Sequence, residues 1–433
     1  MNITQFTMEE VRCFRDRQTL EIRPLTFLVG ENSTGKTTAL ACFHVLASYL
    51  RGEGIDFNAD PYSMGVFKDI VRNSRPKAKT FKLGFTTDAI ELVIEFSEKT
   101  GGIEPAISSL NLKFFDGEIV IKIGGDSTER RNRLVDFDKK YNYYEINCNA
   151  DVLKIFHSYP LFGFLLFGSD DHLEGDAEGK TALVDYLKTH RNWDVRSRLF
   201  IFSTSPIRSR PKRTYDPTRE FDDPEGSDVP MYLMRIEATE KKNWEALKTQ
   251  LVEFGRNSGL FENIDVKNFG RSLGAPFQLQ VKVRGPKANI TDVGYGVSQI
   301  LPILVQILNP SISKNVRHDP MQSFFSLLQQ PEIHLHPKAQ AEFSSLLVKL
   351  ANEGDQSFIV ETHSDYMIDR ARIEIIRGNI RPEDVSLIYF EPQGRIVKVH
   401  NISFDKMANM VGVPPHYGEF FLKESKRLLG FKD

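Results

Sequence analysis

Leu25-Thr26-Phe27-Leu28-Val29-Gly30-Glu31-Asn32-Ser33-Thr34-Gly35-Lys36-Thr37-Thr38 is the stretch on which the fold turns. Its first five residues read as a short β-strand, and from Thr38 onward Leu40, Phe43, Leu46 and Leu50 recur at helical spacing until Gly52 and Gly54 close the segment. Between strand and helix, Gly30 to Thr37 fits G-x-x-x-x-G-K-[ST], a loop whose backbone N–H groups wrap phosphates while the lysine reaches the β and γ oxygens. Gly30 and Gly35 permit the backbone angles that bring amides close to an anion, the helix opening near Lys36 adds its positive end, and Thr37 offers a hydroxyl to Mg²⁺. Asn32, Ser33 and Thr38 complete the expected nucleotide-binding set. A strand before and a helix after are the context this motif requires, so binding of ATP or GTP is the primary expectation.

Outward from this loop the pattern changes. From about residue 80 to 123 apolar and polar residues alternate, as in Phe81-Lys82-Leu83-Gly84-Phe85 and Leu110-Asn111-Leu112-Lys113-Phe114, with Asp116-Gly117 as a hairpin turn, which predicts an antiparallel meander. Residues 136–267 are mixed. Trp244, Leu247, Leu251 and Phe254 mark a helix, and Pro206, Pro211, Pro217, Pro224 and Pro230 punctuate a loop-rich section carrying the basic residues Arg208, Arg210, Lys212 and Arg213. From Phe277 the chain returns to a strand, then a helix, then two apolar strands, Phe324–Leu328 and Ser357–Val360, in the order of a parallel α/β core. The expected architecture is α/β: an N-terminal lobe over residues 1–135, an insertion over 136–270 and a C-terminal lobe over 271–433.

Composition bounds the rest. The chain has 433 residues, 40% hydrophobic and 26% charged, values of an ordinary globular protein with room for one large core plus an insertion. A formal net charge of -2 gives no global reason to bind nucleic acid, so any such contact needs a local patch. Cys13, Cys42 and Cys148 are widely spaced and suit free thiols in a reducing compartment, and no signal peptide or run of roughly 18 apolar residues is present. A cytoplasmic protein without a membrane span is expected.

Three later segments align with the loop: Gly294-Tyr295-Gly296-Val297-Ser298-Gln299, then Gln330-Pro331-Glu332-Ile333-His334-Leu335-His336-Pro337, then Glu361-Thr362-His363-Ser364. In this order, with the opening Val11-Arg12-Cys13-Phe14 and the closing Gly418-Glu419-Phe420-Phe421, the chain resembles the ABC-type ATPases of the SMC/RecF/OLD group. The resemblance implies an ABC head with a mainly parallel core sheet, an antiparallel β subdomain and a mixed insertion, binding ATP and Mg²⁺. It also implies that two heads sandwich the nucleotide as a homodimer or higher homo-oligomer, each phosphate loop facing the partner's signature, here Gly294, Gly296 and Ser298. His363 takes the place of the switch histidine that senses the γ-phosphate. His334 and His336 alternate without a third ligand and make a poor zinc site, so a structural or dimer-contact role suits them better.

One departure stands out. Members of the group end the Walker B strand with two acids, where this chain has Gln329, the metal-shell position, and Gln330, the water-polarising position. An amide orients water but neither accepts its proton nor neutralises a cation. Glu332 and Glu361 are the two acids able to substitute; otherwise the chain is an engineered trapping variant or an ATP-locked assembly scaffold. The 70 residues after His363 are fewer than a typical domain of roughly 100, so an appended TOPRIM nuclease is not expected. Resemblance implies a sensor or regulator of a separate effector, a nuclease or toxin, in anti-phage defence, with DNA repair next. The basic cluster around Pro211 is read as a nucleic-acid contact, a contact for an acidic partner, or a solvated surface. A P-loop kinase or GTPase leaves the glycine signature unexplained and lacks N-K-x-D.

Overall fold

The rule that parallel strands buried on both faces read as unbroken apolar runs explains the centre of the molecule. In the computed structural model, which describes residues 3–114, 118–124, 133–138, 143–149, 173–174, 199–217, 223–270, 274–308 and 323–418 apart from positions 52, 75, 76, 89, 100, 101 and 355, two large sheets clasp one helix.

In chain order the strands are β1 Ile3–Glu9, β2 Gln18–Glu21, β3 Leu25–Gly30, β4 Thr80–Thr87, β5 Ile90–Glu98, β6 Pro105–Phe114, β7 Glu118–Gly124, β8 Arg133–Asp138, β9 Tyr143–Asn149, β10 Leu173–Glu174, β11 Leu199–Ser203, β12 Asn263–Asn268, β13 Phe277–Lys282, β14 Ala288–Asn289, β15 Ser323–Gln329, β16 Gln356–Glu361, β17 Val385–Gln393, β18 Ile396–Phe404 and β19 Met410–Val411. The helices used below are α1 Lys36–Arg51, α2 Phe67–Ile70, α3 Val229–Thr239, α4 Lys241–Ser258, α5 Tyr295–Leu308, α6 Pro337–Asn352 and α7 Asp365–Ile376.

Among the described residues the core sheet runs β11-β15-β16-β3-β17-β18-β19. Its first five strands are parallel, and β18 and β19 turn back antiparallel. Alternate residues of β3 feed different cores: Leu28 joins the cluster under α1, while Leu25, Phe27 and Val29 join the cluster under α5 and α6. The second sheet runs β10-β8-β9-β7-β6-β5-β4-β1-β2 and is mainly antiparallel; β5 alternates buried and half-buried residues, with Ile90, Leu92, Ile94 and Phe96 facing the α1 core. The expected Asp116-Gly117 turn lies outside the described residues, but the strands it joins, β6 and β7, pair antiparallel.

Residues 136–270, read as an insertion, contribute to both sheets and to the second core. β9 extends the antiparallel sheet, β11 forms the edge of the core sheet beside β15, and α4 buries Trp244, Leu247, Leu251 and Phe254. The β11 run, Leu199-Phe200-Ile201-Phe202-Ser203, sits just ahead of the proline-rich section and is masked by it in the one-dimensional pattern. Because β11 is parallel to β15, the residues after it emerge at the carboxyl ends of the strands, where open α/β sheets place their ligands.

Candidate nucleotide site

The phosphate loop connects the carboxyl end of β3 to the first turn of α1. Gly30 and Gly35 have φ of 145° and 89°, and Ser33 adopts φ 63°. A Cβ on Gly35 would stand 2.7 Å from Phe14 and 2.8 Å from the Cys13 sulfur, and one on Gly30 would stand 2.7 Å from the Phe390 carbonyl oxygen. Glycine is therefore demanded at both places by angle and by room. Asn32 and Ser33 are exposed on the loop, and Thr34 Oγ1 closes the turn by donating to Glu31 O at 2.8 Å.

Lys36 is only 3% exposed, and its ammonium donates to the carbonyls of Gly30 (2.9 Å) and Glu31 (2.6 Å). Burial lowers its pKa, with Glu361 and Glu31 opposing. An ammonium held by neutral carbonyls alone is suited to an anion, so the loop fits the phosphates that its motif implies. Thr38 faces the other way, its hydroxyl accepting from Arg12 Nη1 at 3.1 Å.

Thr37 Oγ1 donates to both carboxylate oxygens of Glu361, at 3.1 and 2.9 Å. Glu361 ends β16 directly across from Gln329 on β15, the two being paired in parallel register. Glu361, not Gln329, thus stands against the threonine hydroxyl; the Gln329 amide is 3% exposed with its Nε2 unpartnered. Hard oxygen donors from a carboxylate and a hydroxyl fit Mg²⁺. Among the described residues no group of three or more His, Cys, Asp or Glu forms a separate metal site, His334 and His336 included.

The second acid has a different setting. Glu332 is 7% exposed, its Oε1 accepts from the His363 backbone N–H at 2.8 Å, and its Oε2 has no partner. Burial raises the pKa of both Glu332 and Glu361, while burial and then the Lys36 charge lower that of His363. Gln330 N–H donates to Glu361 O at 2.8 Å, and Gln330 and His334 occupy left-handed backbone at φ 41° and 68°. Strained non-glycine residues of this kind persist where the surroundings fix them. His336 caps α6, accepting from Lys338 N at 3.3 Å.

The basic cluster divides. Arg213 pairs with Asp292, Arg210 and Lys212 are exposed, and Arg208 is buried with Nη2 donating to the carbonyls of Gln329 and Gln330 at 3.3 Å each. Spacing alone could not single it out; the signal was its place after β11, a strand of the core sheet.

Gly294 opens α5, and a Cβ there would meet nothing within 4 Å. Ser298 Oγ donates to Tyr295 O at 2.9 Å, and no hydrogen bond among the described residues joins this segment to the phosphate loop. It instead rests on the loop that carries Glu332: the Tyr295 and His334 rings meet edge-on at 5.0 Å, and a Cβ on Gly296 would stand 2.7 Å from His334 O. A cleft of about 700 Å³ beside the phosphate loop is lined by Gly30, Glu31, Thr362, His363, Tyr389 and Tyr417 among others. The closing residues Glu419, Phe420 and Phe421 lie outside the described residues.

A family model described as "AAA domain, putative AbiEii toxin, Type IV TA system" matches residues 25–369, from β3 into the first turns of α7. The chain belongs to this AAA-domain family. Membership and loop geometry together make it a P-loop ATPase of the AAA-domain kind. This AAA-domain chain is also similar to an SMC head bound to the C-terminal winged-helix domain of ScpA (TM-score 0.46, 12% identity, 94% of this chain and 99% of that one). Two further similar structures are a Pyrococcus furiosus SMC head with an extended coiled coil bound to the C-terminal domain of ScpA (TM-score 0.44, 12%, 98% and 99%) and the SMC head of Thermotoga maritima (TM-score 0.38, 11%, 92% and 98%). No curated protein matches the chain. Among the described residues no helix is long and apolar enough to cross a membrane.

Proposed function

We propose that this chain is an Mg²⁺-dependent ATPase head that dimerises by enclosing ATP between two phosphate loops and the partner's Gly294–Ser298 segments, and that closure switches a separate effector protein. The observation that carries this reading is the contact of Thr37 with Glu361: an acid one strand away stands where the Walker B strand has Gln329. Thr37 and Glu361 would hold Mg²⁺, which when bound neutralises phosphate charge. Lys36 and the loop amides bind the β and γ phosphates. Glu332, seated on the His363 amide with one oxygen free, takes the proton of the attacking water, and His363 contacts the γ-phosphate. The family's description, "putative AbiEii toxin, Type IV TA system", supports a chain that works with a cognate partner protein; the effector we propose is a nuclease or toxin in a defence setting. A cytoplasmic location agrees with that setting.

The second reading, an ATP-locked scaffold, is favoured by the two amides at the end of β15. Steady-state turnover and light-scattering mass with Mg-ATP separate the two. The ATPase reading expects hydrolysis by the wild type, loss of turnover with retained ATP binding in Glu332→Gln, and loss of the Mg²⁺ dependence of binding in Glu361→Gln. ATP binding and assembly without hydrolysis select the scaffold, and no ATP binding sinks both.

A further inference from the structure

Arg208 is 4% exposed and five residues beyond the end of β11. One of its nitrogens, Nη2, grips the carbonyls of Gln329 and Gln330, while Nε and Nη1 have no hydrogen-bond partner. A guanidinium taken out of water needs its charge answered, and a lone buried cation is strongly destabilising. Burial pulls its pKa down to about 10, and the acid that counters this is Glu332. Glu332 in turn feels Arg208, although no ion pair joins them, and its Oε2 is likewise unpartnered. The other acid of the site, Glu361, is already engaged by Thr37. Two donors of Arg208 and one acceptor of Glu332 thus lie buried without partners, and Arg208 holds the left-handed Gln330 of the turn that leads to Glu332.

We propose that Arg208 is a positioning residue for the water-activating acid: gripping the two carbonyls that precede Glu332 and turning its remaining charge toward it, the guanidinium holds the Glu332 carboxylate in place. The inference rests on the ATPase reading above. Arg208 is therefore part of the nucleotide machinery, and not one member of a surface basic patch. A planar fork with fixed donor directions suits this double grip, and lysine, a point charge, reproduces it only in part.

The test compares kcat and the affinity for a fluorescent ATP analogue across wild type, Arg208→Lys, Arg208→Met, Glu332→Gln and the Arg208→Met/Glu332→Gln double variant, with thermal melts as a folding control. Loss of a well-placed general base costs about 10²–10⁴-fold, so Arg208→Met is expected to lower kcat by about 10²-fold with affinity nearly unchanged. Arg208→Lys recovers part of that loss, and the double variant turns over no more slowly than Glu332→Gln alone, because the arginine acts through the acid. Full multiplication of the two single losses, or parallel loss of kcat and ATP affinity, overturns the proposal. If Arg208→Met fails to fold, Arg208→Lys decides: unchanged kcat overturns the proposal, and a drop of about tenfold with intact affinity and melting supports it. A wild-type chain that never hydrolyses ATP removes the ATPase reading and this inference with it, an outcome distinct from a hydrolysing wild type insensitive to Arg208.

Discussion

His44 sits about two turns into the helix that leaves the phosphate loop, with Nδ1 2.8 Å from Ser203 Oγ and its ring edge-on to Tyr62 at 5.4 Å. Burial, aided by the Arg51 charge, takes its pKa from 6.5 to about 4. A histidine depressed in the folded state contributes stability that is full above the unfolded pKa and is lost as pH falls toward the folded one. With the shift from 6.5 to about 4, the window is pH 6.5 to 4 and the loss at most about 3 kcal/mol. Urea titrations at pH 7 and pH 4.5 are expected to show this acid loss in wild type and its absence in His44→Gln; equal losses in both would refute the assignment. At this scale much was legible. Gly30, Gly35, Lys36 and Thr37 could be named from spacing, and Glu332 and Glu361 from the absence of acids at 329 and 330. That Glu361 meets Thr37 was hidden, because the parallel pairing of β16 with β3, which sets Glu361 beside Leu28 at the entry to the phosphate loop, joins residues 324 positions apart with no one-dimensional trace.

Among the elements, α1 is the joint between the sheets. Phe43 is 1% exposed and its ring meets those of Phe6 and Phe85 on one sheet and Phe325 on the other, at 4.9–5.5 Å. Replacing a fully buried phenylalanine by alanine removes transfer energy and leaves a cavity, so Phe43→Ala is expected to lower unfolding free energy by about 3–5 kcal/mol, read from denaturant midpoints at unchanged m-value. A loss under about 1 kcal/mol would mean the sheets do not depend on this helix. The stripe Leu40, Phe43, Leu46 predicted the helix but understated its burial; Ala39, Ala41, Cys42, Val45 and Ala47 are buried too, because both sides of the helix are covered. The meander was readable for the opposite reason, since its strand β5 has one more exposed face and alternates along its length. β11 was not recognised: five residues before a proline-rich stretch are too few for periodicity to show.

For the whole molecule, the order of the motifs was visible in the sequence, whereas the way residues 136–270 divide between two sheets was not, since strand neighbours set by long-range pairing leave no local signal. The proposed ATP sandwich makes a clean demand at this scale. Gly294 has open space where a side chain would go, so Gly294→Asp is expected to leave the fold and ATP binding of the single head intact while an added negative charge repels the partner's γ-phosphate. Light scattering with Mg-ATP should then show a monomer for Gly294→Asp in the Glu332→Gln background and a dimer for Glu332→Gln alone. Dimers in both would place the nucleotide interface elsewhere.

The Tyr295 ring rests on His334, and the His334 carbonyl fills the space beside Gly296, in the same turn that carries Glu332. If two heads enclose ATP as proposed, a head that shifts its Gly294–Ser298 segment to meet one nucleotide drags the turn carrying Glu332, the acid that would serve the other. In the proposed dimer, two half-sites geared through one short turn would not fire independently, and turnover would rise with ATP more steeply than a hyperbola.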